Sequence, residues 1–278
     1  MGSATARKPA DSLQAQVLAF ARRAVTFAAK DDSRPSICCA IRTAPRVWCV
    51  TDGNRMAFLP APADWPDGDL WPIDVCMPVA DFETLCAIGV PEYAPEPAIG
   101  THWPMGFHPA FGVGSAAVKA AEYHFPDYRG VTVGGDGYSG MVFDMPAIAA
   151  LVKAATATIA PTPAEKLATG GKALKVGYSG RQDALRLRCS IDGKCNLTVP
   201  WRDRDLDDGG VWHGGATSET QRTFGDLGDA KPDFAINPRH VLQAFGADGV
   251  VHAHFRDQVS PIFAMHNGEY HVIMPHRM

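Results

Sequence analysis

The chain has 278 residues, 46% of them apolar, with 30 acidic side chains against 26 Lys and Arg and a formal net charge of −4. That length accommodates one or two domains of roughly 100–200 residues. No apolar run approaches the ~18–20 residues of a membrane span, so a soluble protein with no membrane partner is expected. The acidic balance excludes a protein coated in positive charge but leaves room for a local basic surface.

Seven cysteines, at positions 38, 39, 49, 76, 86, 189 and 195, form no C-x-x-C pair. An odd count without framework spacing predicts reduced, mostly buried thiols in a cytoplasmic protein. Residues 1–12 carry Arg7 and Lys8 with no apolar run behind them, which reads as a flexible leader rather than a secretory signal. From Leu13 to Lys30, apolar residues at Leu13, Val17, Phe20, Ala24 and Phe27 are spaced for one face of a helix. The same stretch carries Arg22, Arg23 and Lys30 and no acid, which makes it a candidate face for phosphate.

Ser36 to Ala40 and Val47 to Val50 read as paired strands. Thr51-Asp52-Gly53 makes a turn, and Met56 to Leu59 resumes a strand. Pro60 to Pro72 is a loop. Pro78 to Ile88 reads as a helix with Val79, Phe82, Leu85 and Cys86 on one face, and it carries Asp81 and Glu83. Five prolines between Pro91 and Pro109 obscure any periodicity, so residues 91–121 receive no assignment. Phe125-Pro126-Asp127-Tyr128 reads as a packed junction. Val131 to Gly140, with its Gly-Gly-Asp-Gly, reads as a linker, placing a boundary at 133–141.

The second half repeats the organisation of the first. Ile148, Leu151, Val152, Ala155 and Ile159 mark a helix over Met145 to Ile159 that Pro161 ends, with Lys153 among its polar residues. Leu174 to Tyr178, Ala184 to Ile191 and Cys195 to Val199 read as strands, with Asp192-Gly193 a hairpin turn. Asn237 or Pro238 opens another helix, proline being favoured in the first turn, with Val241, Leu242 and Phe245 inward and Arg239 and His240 free to face out. Val250 to Phe255, Pro261 to Met265 and the segment from Tyr270 read as strands. The last of these stops at Pro275 and leaves an apolar, cationic end. Chain ends fray unless tied down, so this one is expected to be built into a site. The acids cluster at Asp31-Asp32, Asp64 to Asp69, Glu92 to Glu96, Asp203 to Asp208 and Asp226 to Asp233, in turn-rich segments that belong on an outer surface.

No catalytic constellation is present: there is no P-loop, no G-x-G-x-x-G after a strand, no G-x-S-x-G and no H-E-x-x-H. The chain therefore reads as a binding module rather than an enzyme, with no cofactor. His252 and His254 alternate along a strand without a third ligand nearby, which favours surface side chains over a metal site. Asp52 and Asp127 read as turn and junction residues.

Thr51-Asp52-Gly53-Asn54-Arg55-Met56-Ala57, Phe125-Pro126-Asp127-Tyr128-Arg129, the run from Phe234-Ala235-Ile236-Asn237 through Val241-Leu242-Gln243-Ala244-Phe245, and Tyr270 to Met278 occur in an order and at a spacing that resemble bacterial sliding clamps, the β subunits of DNA polymerase III. The resemblance covers about Leu13 to Met278. It implies an α+β chain of two tandem clamp domains, 13–135 and 141–278, resembling the family's middle and C-terminal domains, each with helices packed on curved antiparallel sheets. Family members carry three such domains, and this chain has room for two. In the family the helix matching Pro78 to Ile88 helps line a basic DNA channel, whereas here it carries Asp81 and Glu83.

The resemblance implies a processivity factor that encircles duplex DNA without reading its bases and holds a polymerase there, loaded by a separate ATPase. Six domains would close as a homotrimer ring. Arg22, Arg23, Lys30, Lys153, Arg239 and His240 are the candidate DNA-facing residues. A peptide groove for polymerase and clamp-loader motifs is expected from Ile37, Thr51, Gly53, Asn54, Arg55, Met56, Pro126, Val131, Val272, Met274, Pro275, His276, Arg277 and Met278. Asn54 and His276 replace the family's usual histidine and methionine, and Met278 its terminal leucine. The alternative is an adaptor or inhibitor that binds clamp partners without encircling DNA; a nucleotide-processing enzyme lacks any phosphate-binding motif.

Overall fold

The computed structural model describes residues 12–30, 33–66, 73–94, 110–121, 123–131, 139–160, 182–190, 192–201, 220–229 and 231–276. The chain divides into two compact units, Met1–Val133 with His266–Val272, and Gly134–Met265 with Ile273–Met278.

In the first unit, α1 spans Leu13–Phe27. Ser12 caps it by accepting a hydrogen bond from the Ala15 amide at 3.2 Å, which satisfies one of the orphan donors of a helix start. Its buried face is Val17, Phe20, Ala21, Ala24 and Phe27, close to the expected stripe. The helix stops three residues before Lys30. The expected strand from Ser36 is corrected: Pro35–Cys38 forms a 3-10 turn with proline at its first position, where a fixed φ and a missing N–H suit a helical start. Strand β1 therefore begins later, at Cys39–Ala44.

β2 (Val47–Thr51), β3 (Arg55–Pro60) and β4 (Met77–Pro78) follow, then α2 (Val79–Ile88). With β15, Glu269–Ile273, the strands are ordered β4-β1-β2-β3-β15. The proline-rich stretch that gave no sequence signal holds a second sheet, β5 (Glu92–Ala94), β6 (Ala110–Val113) and β7 (Ala116–Lys119). Phe20, Trp48, Trp65, Phe82 and Phe111 form the core of this unit, each at most 7% exposed. Their rings meet at 5.4–6.4 Å, the offset and edge-on range in which aromatic pairs attract.

In the second unit, the expected linker ends earlier than predicted, because Ser139–Asp144 is strand β8. Met141 and Phe143 point inward while Gly140, Val142 and Asp144 face out, a period of two that the glycines around it obscure. Helix α3 spans Met145–Ile159 as expected, with Asp144 accepting from the Ala147 amide at 3.1 Å.

β9 (Arg186–Cys189), β10 (Cys195–Trp201), β11 (Thr220–Gly225) and β12 (Phe234–Ile236) form a sheet ordered β11-β10-β9-β12. β9 is shorter than the expected Ala184 to Ile191 because a turn runs through Ala184, with the Leu185 amide donating to the Gln182 carbonyl at 3.2 Å. The expected strand Leu174 to Tyr178 lies outside the described residues. In the turn between β9 and β10, Gly193 has φ 82°. A Cβ there would sit 3.0 Å from the Val142 carbonyl oxygen, so both its conformation and its neighbour call for glycine. Asn237 caps α4, Pro238–Phe245, by accepting from the Arg239 amide at 3.0 Å. β13 (Val250–Phe255) and β14 (Ile262–His266) complete the unit in the order β14-β13-β8. No helix among the described residues is long and apolar enough to cross a membrane.

Candidate peptide and nucleic-acid interface

The turn between β2 and β3 is built by its own polar side chains. Thr51 Oγ1 donates to the Arg55 carbonyl at 2.6 Å and accepts from the Gly53 amide at 3.0 Å. Asp52 Oδ1 accepts from the Asn54 and Arg55 amides at 2.9 and 3.0 Å. Gly53 takes φ 89°, a left-handed conformation that glycine adopts without cost. Asn54 is left exposed, Met56 is buried on β3, and buried Ile37 lies near Gly53.

Arg55 is not displayed. Its side chain is 6% exposed and pairs with Asp52 Oδ2 at 2.9 Å. Its Nη2 donates to the Thr26 carbonyl at 2.6 Å, which satisfies one of the acceptors that the end of α1 leaves without a helical partner. Burial holds its pKa below the ordinary arginine value, with Asp52 opposing the shift. The guanidiniums of Arg23 and Arg55 lie 4.7 and 4.9 Å from the Phe27 ring centroid.

Arg23 also donates to Glu269 on β15, with its Nη2 at 2.6 Å from Oε2, and His271 Nε2 lies 3.0 Å from the same oxygen. Burial pushes the Glu269 carboxyl up, but the hydrogen bonds from His271 and Arg23 outweigh it and leave the group below its usual range. Fully buried His271 is held below the ordinary imidazole value by burial, against the pull of Glu269.

Of the remaining groove candidates, Pro126 is exposed and Val131 half-buried, flanking buried Tyr128, while Val272 is buried in β15. The Phe58 ring meets Tyr128 at 6.0 Å and Tyr270 at 5.7 Å, tying the junction segment and the terminal strand to β3. In the second unit Met274, Pro275 and His276 are half-buried, and the His276 amide donates to the Ala235 carbonyl at 2.7 Å. Arg277 and Met278 lie outside the described residues.

The six candidate DNA-facing residues are not equivalent. Lys30 and Lys153 are exposed. Arg22 is exposed and pairs with Glu83 of α2 at 3.5 Å, Arg23 is held by Glu269, and Arg239 pairs with Asp183 at 2.9 Å. His240 is half-buried in α4. Sequence reasoning passed over Arg186 and Arg188 of β9. Their alternation with Leu187 and Cys189 was the available signal.

No family model matches the sequence, and no curated protein matches it. The architecture, an α+β chain of helices on antiparallel sheets, is the sliding-clamp fold. In particular it is similar to the DNA polymerase III β subunit of Caulobacter crescentus, with 18% identity and a TM-score of 0.59 over 95% of this chain and 65% of that one. The clamp of Pseudomonas aeruginosa bound to griselimycin gives 18% identity and 0.55 over 96% and 64%. That of Borrelia burgdorferi in complex with a natural product gives 13% and 0.55 over 96% and 63%. This chain spans about 64% of the length of these clamps.

Proposed function

We propose that this protein is a DNA sliding clamp, a ring-forming processivity factor that tethers a DNA polymerase to duplex DNA and receives partner peptides in an apolar groove. The observation that carries the reading is the clamp fold over 94–96% of the chain, together with a Thr51–Arg55 turn of the kind expected at a peptide groove. Cations on α1, α3 and α4 draw duplex DNA through its phosphates, and such sequence-independent contacts permit sliding. With domains like the family's middle and C-terminal ones, six close the ring as a head-to-tail homotrimer, a heterologous contact that closes only if the domain ends complement each other. Methionines suit a groove that serves several partners, because their side chains repack. No catalytic step and no cofactor belong to this reading.

The groove is tested by titrating a polymerase-tail peptide against the protein and against Met274→Ala with Met278→Ala. The double variant loses about tenfold or more in affinity, as expected when two apolar side chains are truncated; unchanged binding would remove the groove from the account.

A second reading, an adaptor that binds clamp partners without encircling DNA, is favoured by one observation. Arg22, Arg23 and Arg239 are each engaged by a carboxylate, which reduces the charge available to phosphates. Retention on circular but not on linear DNA distinguishes a ring from an adaptor.

A further inference from the structure

We propose that Cys189 and Cys195 form a redox modification site, a dithiol that a low-molecular-weight disulfide oxidises reversibly to an intrachain Cys189–Cys195 bond. The site lies wholly within the second unit and does not depend on the clamp reading.

All seven cysteines are free thiols in this structure. Cys189 ends β9 and Cys195 opens β10, and the two are direct partners across the antiparallel pair. The Ser190 amide donates to the Lys194 carbonyl at 3.0 Å, which makes Ser190 and Lys194 a hydrogen-bonded pair and the adjacent Cys189 and Cys195 a non-hydrogen-bonded one. In agreement, Cys189 turns its carbonyl the other way, to the Asp233 amide at 2.9 Å. Non-hydrogen-bonded partners are the closer kind, with Cα atoms about 4.5 Å apart, inside the range of about 4.4–6.8 Å that a disulfide bridges. Their side chains leave the sheet on the same face, and the two Sγ atoms lie 2.9 Å apart. An S–S bond therefore needs a small side-chain adjustment and no shift of register. The connecting turn holds that register, with the Gly193 amide donating to the Ser190 carbonyl at 3.0 Å.

The two thiols differ in access. Cys189 is fully buried and Cys195 half-buried. Burial, and then the neighbouring Cys195 sulfur, hold the Cys189 thiol well above its ordinary value, so Cys189 rests as the thiol and Cys195 is the point of entry. Cys195, as the thiolate, attacks one sulfur of the oxidant R–S–S–R; the S–S bond of the oxidant breaks and RS⁻ leaves. The departing thiolate takes the Cys189 proton, and the Cys189 sulfur attacks the Cys195 sulfur and expels the second RS⁻, which takes up the proton that Cys195 gave to water. Two thiols have lost two electrons and two protons, and the oxidant has become two molecules of RSH. An excess of a small thiol runs the sequence backwards. Cys39 and Cys76 also neighbour each other, in the first unit, but each is only 2% exposed and neither offers such an entry.

The test is to incubate the full, folded chain with glutathione disulfide, block remaining thiols with iodoacetamide in urea, and digest with trypsin without reduction. Trypsin cuts after Arg188, Lys194 and Arg202, so the two cysteines fall in separate peptides that only an S–S bond joins. Mass spectrometry is expected to find the two peptides linked, two hydrogens below their summed mass, and dithiothreitol to part them. Cys189→Ser instead accumulates a glutathione adduct on the Cys195 peptide. Cys195→Ser gives at least about tenfold less adduct on the Cys189 peptide, in line with burial of that thiol; a misfolded chain would expose both alike. Recovery of both wild-type peptides alkylated and unlinked would overturn the proposal. So would linkage of either cysteine to one of the other five, or equal adducts in the two variants.

Discussion

The two arginine pairs of this molecule stand in opposite situations. In the first unit Arg23 and Arg55 are matched by Glu269 and Asp52 and flank one aromatic ring. In the second, Arg186 and Arg188 are half-buried on β9, and among the described residues no carboxylate forms an ion pair with either, the nearby Asp183 pairing with Arg239. The same residue type is answered by a carboxylate on the first pair and by backbone carbonyls on Arg186. The contrast revises what the Thr51–Arg55 turn contributes to a peptide groove. Gly53 and Asn54 are exposed at that turn, while Arg55 fastens it to the end of α1 and acts as a positioning residue.

The sharpest way to break the comparison is Arg55→Ala. It leaves Asp52 without its cation and the Thr26 carbonyl without a donor, and removing one member of a buried pair costs about 3–5 kcal/mol. Urea unfolding reads this directly; a loss below about 1 kcal/mol would place Arg55 with the surface arginines. Arg186→Gln with Arg188→Gln, by contrast, leaves stability within about 1 kcal/mol or raises it, since it removes Arg188 Nε, which is buried without a hydrogen-bond partner among the described residues.

Gly193→Ala is expected to cost about 1–3 kcal/mol in the same assay, from its positive φ and its contact with the Val142 carbonyl. It leaves the first unit's ionic cluster untouched.

Acidification sharpens the comparison further. His271 has a folded pKa below the ordinary imidazole value of 6.5, so the unfolded chain takes up the proton first and stability falls as pH drops through that value. Glu269, also depressed, from 4.5, contributes stability that is present above that value and lost as pH falls through its lower folded pKa. Thermal melts from neutral to acid pH therefore show a loss in two stages, and His271→Gln removes the upper one. An upper stage unchanged in that variant would assign it elsewhere.

The smallest effect belongs to Arg22→Ala and Arg239→Ala. Their ion pairs are largely exposed, and such pairs contribute about 0–1 kcal/mol. Each substitution weakens DNA retention more than folding if its helix faces phosphate.

Much of this was legible in the sequence. Periodic stripes located the helices that the structure places at Leu13–Phe27 and Met145–Ile159, and Pro238 marked the start of Pro238–Phe245; the caps Ser12 and Asp144 were not read. β8 and the β5–β7 sheet were missed, since glycines and prolines mask a period of two. Pro35 turned an apparent strand start into a 3-10 turn. The partnering of Arg23 was illegible, because Glu269 lies 246 residues away. Charge alone marks an arginine as exposed, and only the fold reveals whether a carboxylate answers it. Arg186 and Arg188 were readable as one strand face, but that β10 places Asn196 opposite Arg188 required the register.

The central claim is a ring, and the absolute mass in solution tests it most directly. Light scattering over a concentration series at moderate salt is predicted to converge on three times the 29.8 kDa of the chain. A mass that stays at one chain across the series would contradict the ring.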